Sequence, residues 1–391
     1  CSSDLFAERA PVKPHEAELL AEIESAHGSP IDPQKVLAIG HDPMGTQSLW
    51  RHVKSPWRLA KLAHEFSCFA ANPGYTTGCP FPLDQTTSGF GHLAMLTRDE
   101  KMARHANCVG TSGSEPCDIY MSVSDRARGI NEVLTYDSRD PKVVQAAIWA
   151  RSNWPPRSVW KRVVMPAVYG QSFKSIMDVM REFVTGALDR QVIMDGLRSS
   201  DIVVHLARLA NQVVRSTLPG VHGLTRWLQA IGKEYLKLGT PMHWYSPSGL
   251  KVLSYQGDRG RADIELILSG RRVRIQPQVS DDGKYKLRPT VGRQVGADFI
   301  HSYDAAFLHY AVSQWRGDSI LCAHDSFAVP LDQRAKLKDH LNESWARFYQ
   351  TDYLTQLHGC ATMLTGARLP APPIVGDLDI SAIGMSDHLF V

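Results

Sequence analysis

Phe81-Pro82-Leu83-Asp84 is a short apolar run that ends on a carboxylate, and Gln85-Thr86-Thr87-Ser88-Gly89-Phe90-Gly91-His92 carries it through a Ser-Gly turn into a helical pattern that lasts to about His105. Far along the chain a second apolar run, Ser319–Ala323, meets a tight turn at His324-Asp325, and a third, Phe327–Val329, follows. Apolar runs this short, bounded by turn residues, read as buried strands. Between them, residues 115 to 240 are almost entirely helical in period. The order is strand and helix, a large helical insertion, then strand–turn–strand. That order suits an α+β fold whose sheet is completed by both ends of the chain.

Working outward, an amphipathic helix is expected near Glu16–Ala26, followed by a Gly/Pro-punctuated stretch from Gly28 to Gly45. Leu59, Leu62, Ala63, Phe66 and Phe69-Ala70 recur at helical spacing, which predicts a helix packed on a core. Residues Met242 to Val295 change character. β-Branched and basic residues alternate there, with turn signals at Ser269-Gly270 and Asp281-Asp282-Gly283, so hairpins are expected. A helix over about Tyr303–Trp315 precedes the last two strands, and another starts near Asp332.

The bulk numbers exclude more than they assert. With 391 residues and ordinary apolar content the chain is globular, long enough for one large or two ordinary domains. A net charge of +3 is too small to argue for nucleic acid by itself. The 7 cysteines are scattered and form no C-x-x-C pair, so neither a zinc ribbon nor a disulfide scaffold is indicated and a reducing, cytoplasmic compartment is expected. No apolar run approaches membrane-spanning length, so no membrane is expected. The first residue is Cys1 rather than methionine, as a trimmed or internal start would give.

Three segments carry the chemistry together. Asp84 ends one strand, and Asp325 lies in a turn between two others. Between them runs Arg157-Ser158-Val159-Trp160-Lys161-Arg162-Val163-Val164-Met165-Pro166-Ala167-Val168-Tyr169-Gly170. Taken singly, each is bland: an Asp after a strand is usually a turn or cap residue, and a basic helix start is usually a solvated face. Jointly they are more specific. Arg157, Lys161, Met165 and Tyr169 recur every fourth residue and share a helix face, offering two cations and an aromatic ring. Two carboxylates at neighbouring strand ends suit a pair of divalent cations about 4 Å apart, as in-line nucleotidyl transfer requires.

At these residues the sequence resembles the single-subunit RNA polymerases of phages, mitochondria and chloroplasts. The D-x-x-x-S-G-x-x-H segment from Asp84 is similar to their motif A, K-R-x-V-M-x-x-x-Y-G from Lys161 to motif B, and His324-Asp325-Ser326-Phe327 to motif C. Phe299-Ile300-His301-Ser302-Tyr303-Asp304 resembles their F-x-H-S-x-D stretch. The likeness runs from about residue 57 to the end, in the family's order. It implies a right-hand polymerase with the palm in residues 1–100 and 302–391. A mainly helical fingers insertion would occupy 101–301, including a basic hairpin at about 254–296.

The resemblance further implies that Asp84, Asp325 and the Gln85 carbonyl hold two Mg²⁺ ions. Arg157 and Lys161 would bind the ribonucleoside triphosphate, with Lys161 the proton donor to pyrophosphate. Tyr169 would sit beside the incoming base and sense the 2′-hydroxyl with His301, and His324 would support the primer terminus. DNA template and RNA product follow as partners. Two readings compete. In a family A DNA polymerase, motif C typically ends His-Asp-Glu and a bulky Glu follows motif A, where this chain has Ser326 and the Ser88-Gly89 turn. A non-catalytic nucleic-acid-binding module would use the arginines and lysines between Arg259 and Arg293, a region that resembles the family's specificity hairpin.

Three departures stand out. Gly91 replaces a polar residue, which would loosen the turn. Pro166 replaces a threonine, removing a helical N–H and kinking the helix before Tyr169. The D-x-x-G-R motif, thumb and promoter-binding domain are not found ahead of Asp84, so a fragment or a second polypeptide carrying those parts is expected, as in a split, heterodimeric phage enzyme. The expected compartment is then the cytoplasm of a phage-infected host, with the mitochondrial matrix as the alternative. The tail Asp387-His388-Leu389-Phe390-Val391 resembles the family's aromatic C-terminal foot, or is a hydrophobic plug.

Overall fold

Alternation along Phe81–Asp84 (β1) fixes the small sheet. Phe81 and Leu83 are buried, Pro82 is half-buried and Asp84 is exposed. Leu321–Ala323 (β2) and Ser326–Val329 (β3) form an antiparallel hairpin, and β3 pairs antiparallel with β1 in the order β2-β3-β1. Phe327, Val329, Phe81 and Leu83 thus share one buried face. Fully burying side chains of this kind contributes about 1.5–3 kcal/mol each. Leu321, Ala323, Ser326, Pro82 and Asp84 occupy the opposite, more open face.

The computed structural model describes residues 9–110, 115–188, 197–254, 294–380, 383 and 386–391, together with the short strands named below within 257–287. These residues fall into two compact units, one of 1–85, 310–345 and 390–391 and the other of 86–309 and 346–389. The architecture is mixed and helix-dominated, with small antiparallel sheets. No helix among the described residues is long and apolar enough to cross a membrane.

In the first unit, helices Glu16–His27, Pro33–His41 and Pro56–Ala71 enclose a core of Leu19, Ile23, Val36, Ile39, Leu59 and Ala63, with Phe81 and Leu331 at its edge. The Pro33–His41 helix lies within the stretch read from sequence only as Gly/Pro-punctuated. Its start was nevertheless written there: Asp32 accepts a hydrogen bond from Gln34 N at 2.9 Å, and Pro33 occupies the first turn.

The second unit carries the long helices, including Ile119–Asp137, Ser199–Thr217 and Pro219–Lys237. The pattern from Gly89 to His105 is two helices rather than one. Ser88–Thr97 (α1) ends at Arg98, whose φ is +56°, and Asp99 caps the next helix through Met102 N at 3.0 Å. Gly91 does not loosen α1: its N–H donates to Thr87 O at 3.1 Å inside a continuous helix.

Met242–Tyr245 and Lys251–Ser254 form one hairpin, and Ile264–Leu268 pairs antiparallel with Arg271–Ile275, while the turn expected at 269–270 lies outside the described residues. Shorter pairs join Gly260–Arg261 to Gln278–Val279 and Gly257–Asp258 to Lys286–Leu287. The turn expected at 281–283 and the side chains of the basic hairpin lie outside the described residues. The helix expected over Tyr303–Trp315 begins earlier, spanning Gln294–Gln314 (α3), so the F-x-H-S-x-D stretch is helical.

Gly40 permits the close approach of Pro33–His41 to Pro56–Ala71, since a Cβ there would collide with the Ala63 carbonyl oxygen and the Ser67 hydroxyl. Gly40→Ala is expected to cost about 1–3 kcal/mol of stability. Denaturant unfolding measures this, and an unchanged midpoint would contradict the packing described.

Candidate active site

Register brings the two aspartates together. Ser326 lies opposite Asp84 in the β3–β1 ladder, and Gln85 N donates to Asp325 O at 3.1 Å. The hairpin is closed by only His324 and Asp325, since Ala323 pairs with Ser326. A two-residue hairpin loop takes a primed turn with positive φ, and His324 accordingly sits at φ +56°. A histidine in this region is backbone strain held by its surroundings.

The last residues complete the other side of β1. Asp84 N donates to Val391 O at 2.8 Å, and Val391 N donates to Asp84 O at 3.0 Å. Phe390 is fully buried, edge-on to Phe327 at 6.3 Å and to Trp345 at 6.5 Å. The tail is therefore a plug that also pairs, residue for residue, with the candidate metal ligand.

Asp84 and Asp325 do not by themselves make a closed metal cage, and no group of three His, Cys, Asp or Glu among the described residues does so. That donor set still fits Mg²⁺, which takes one or two carboxylates and completes its shell with water and substrate phosphate oxygens. The Gln85 side chain beside them is 5 % exposed, and neither of its amide atoms has a protein partner among the described residues. Along the open face of the sheet a cavity of about 400 Å³ is lined by Trp57, Lys61, Pro82, Leu321, Ala323 and Ala328. At its edge Glu22, 7 % exposed, accepts hydrogen bonds from Arg58 and from Arg334, the latter at 2.7 Å.

The cationic helix belongs to the second unit. Arg157–Val164 (α2) is α-helical, and at Met165–Ala167 it tightens into a 3₁₀ turn. Pro166 lacks the N–H that another α-turn would need, and the helix tightens at that position. Lys161 is exposed, and its side chain makes no hydrogen bond or ion pair among the described residues. Arg157 is held by Asp118, with its guanidinium 5.3 Å from the Tyr120 ring. Sequence reasoning gave no hint of that tether, although Asp118 is also the N-cap of Ile119–Asp137.

Beyond the 3₁₀ turn, the Tyr169 ring lies 4.7 Å from that of His301 on α3. The Tyr169 hydroxyl approaches Gly89 so closely that a Cβ there would be 2.6 Å away. The second unit thus joins the start of α1, the end of the cationic helix and α3.

Behind Gly89 is a network that the sequence motifs contained without revealing. Ser88 Oγ donates to Asp304 Oδ1 at 2.8 Å, and His92 Nε2 is 3.1 Å from the same oxygen. His92, fully buried, also bonds through Nδ1 to the Tyr349 hydroxyl. Burial pushes the Tyr349 phenol well above its ordinary value, so the hydroxyl keeps its proton. Burial alone would raise the Asp304 carboxyl, but His92, Ser88 and His301 more than offset it, and the group lies below its ordinary value.

Comparison with known proteins agrees with these motifs. The sequence pattern of the DNA-dependent RNA polymerase family matches residues 32–369. The chain is 25 % identical over 368 residues to the DNA-directed RNA polymerase of Pseudomonas phage phiKMV, covering 90 % of this chain and 42 % of that protein. It is 23 % identical over 407 residues to the DNA-directed RNA polymerase of Enterobacteria phage K11, covering 91 % and 44 %. A probable DNA-directed RNA polymerase of the fungus Gelasinospora is 24 % identical over 326 residues, covering 78 % and 38 %. The chain spans less than half the length of each of these relatives.

The depressed Asp304 carboxyl carries a pH signature. Its folded value lies below the unfolded one, so its contribution is present above the ordinary carboxylate value of 3.8 and is lost as pH falls through the folded value. Asp304→Asn is expected to give a shallower loss of stability than the wild type on acidification below that value, read from denaturant midpoints. Equal acid slopes in the two proteins would contradict the assignment.

Proposed function

The chain belongs to the DNA-dependent RNA polymerase family, and we propose on that footing that it performs DNA-templated RNA synthesis, with ribonucleoside triphosphates as substrates. The observation that carries this reading is the register that sets Asp325 beside Asp84 at the ends of adjacent strands. In this reading the sheet and its flanking helices are the palm (1–100 and 302–391), and the helical insertion (101–301) is the fingers.

Asp84, Asp325 and the main-chain carbonyl of Gln85 would hold two Mg²⁺ ions, which supply charge neutralisation at the nucleophile and at the leaving oxygen. The RNA 3′-hydroxyl gives its proton to solvent water, and its oxygen forms a bond to the α-phosphorus while the bond to pyrophosphate breaks. Exposed Lys161 meets the triphosphate and gives its proton to the departing pyrophosphate. Arg157, oriented by Asp118, adds a second cation to the same phosphates. Tyr169 lies beside the incoming base and, with His301 against its ring, senses the ribose 2′-hydroxyl. His324, fixed by its strained turn, supports the primer terminus. The open sheet face, with Lys61 and Trp57 along its cavity, would take the primer and template.

The chain spans less than half the length of these relatives. We propose that a second polypeptide supplies the thumb and promoter-reading parts, with this chain as the catalytic subunit of a heterodimer; the alternative is that the chain is a fragment of a longer polymerase.

Primer extension with ribo- and deoxynucleotides, with and without a co-purified partner, tests the reading. The complex is expected to incorporate ribonucleotides in a Mg²⁺-dependent way, and Asp84→Ala or Asp325→Ala should each lower the rate by at least about 100-fold. Full activity in both variants would overturn the assignment. A monodisperse isolated chain that extends RNA unaided would overturn the heterodimer.

A further inference from the structure

We propose that Asp304 is a positioning residue for ribose selection: by binding Ser88 and His92 it holds the start of α1, and with it Gly89, against the Tyr169 hydroxyl. This rests on the reading of Tyr169 and His301 as the ribose-sensing pair.

Asp304 Oδ1 receives both Ser88 Oγ at 2.8 Å and His92 Nε2 at 3.1 Å. Ser88 is the first residue of α1 and His92 lies one turn further on, so one oxygen grips the helix at two successive turns. Gly89 lies between the two gripped residues, and its Cα faces the Tyr169 hydroxyl with no room for a methyl group. The same α3 turn carries His301 three residues before Asp304, its ring tilted against that of Tyr169 with the centroids 4.7 Å apart. A single carboxylate therefore ties together the floor under Tyr169 and the helix bearing its ring partner.

Burial keeps this frame stiff. Ser88 is 8 % exposed, His92 0 % and Tyr349 1 %, and the Tyr349 hydroxyl fixes the imidazole from its other side. The residue preceding Ser88, Thr87, stands at the start of α1 at φ +51°, a conformation that a β-branched side chain adopts only under constraint. Discrimination between a ribose and a deoxyribose is a difference of one hydroxyl. It depends on a hydrogen-bonding group held to a fraction of an ångström. Ser88, Asp304 and His92 touch no substrate in this scheme and act through the position of Tyr169.

The test uses the chain with its co-purified partner and reads the ratio of kcat/KM for a ribonucleotide to that for the matching deoxynucleotide. Asp304→Ala and Ser88→Ala are each expected to lower that ratio about tenfold. Asp304→Asn, which keeps an oxygen acceptor for Ser88 and His92, should stay within about twofold of the wild type. Asn131→Ala breaks a buried hydrogen bond to His205 elsewhere in the same unit. It is the control for lost stability, and its ratio is expected to be unchanged. A second readout needs no turnover: binding of ribo- and deoxyribonucleoside triphosphates should lose its preference in Ser88→Ala even if Asp304→Ala does not fold. If Ser88→Ala and Asp304→Ala lose activity equally toward both sugars, or if Asn131→Ala lowers the ratio as much as they do, the proposal is overturned. A wild-type complex that shows no preference for ribonucleotides would instead overturn the reading of Tyr169 and His301, which separates the two failures.

Discussion

Everything proposed for this chain depends on one register. Residues 84 and 326 face each other in a three-stranded sheet, and that pairing sets Asp325 next to Gln85 at the strand ends. A slip of one residue would turn Phe327 and Val329 outward and carry Asp84 to the buried face. The slip is opposed from both sides: Phe81, Leu83, Phe327 and Val329 are all buried, and Val391 exchanges two backbone hydrogen bonds with Asp84. Packing and hydrogen bonding thus agree on the same alignment, the condition for a functional pair to be held without dedicated bonds between its side chains.

Local strain accompanies the functional positions. Four non-glycine residues among those described have positive φ, and two of them, Thr87 and His324, lie within three residues of the candidate metal ligands. The remaining two, Arg98 and Asn107, mark helix ends or turns. The second unit answers the same need by different means. There the rigid element is a chain of hydrogen bonds from buried Tyr349 through buried His92 to half-buried Asp304 and buried Ser88. Such a chain strengthens when fully satisfied and is costly when broken.

Much of this was legible in the sequence, for physical reasons. The three short strands of the sheet were readable because apolar runs bounded by turns have few alternatives, and the break in the α-helix at Pro166 because its missing N–H cannot be compensated locally. The candidate residues were legible by family likeness. Less legible was whatever depends on contacts between distant residues: the Arg157–Asp118 pair, the Tyr169–His301 ring contact, the pairing of Val391 with Asp84, and above all the place of Tyr349 in the network. His92 and Asp304 were visible as motif positions but had no role until their distances were known. The Pro33–His41 helix was missed because Gly and Pro were read as punctuation when Asp32-Pro33 was a helix start.

The central claim is that Asp84 and Asp325 form one divalent-cation site serving nucleotide transfer. Its most direct test is anomalous diffraction from crystals of the complex holding Mn²⁺, primer–template and a non-hydrolysable ribonucleoside triphosphate. The account predicts two manganese peaks, each within bonding distance of a carboxylate oxygen of Asp84 or Asp325 and at least one touching the triphosphate. Manganese bound elsewhere, with both aspartates free of metal, would contradict it.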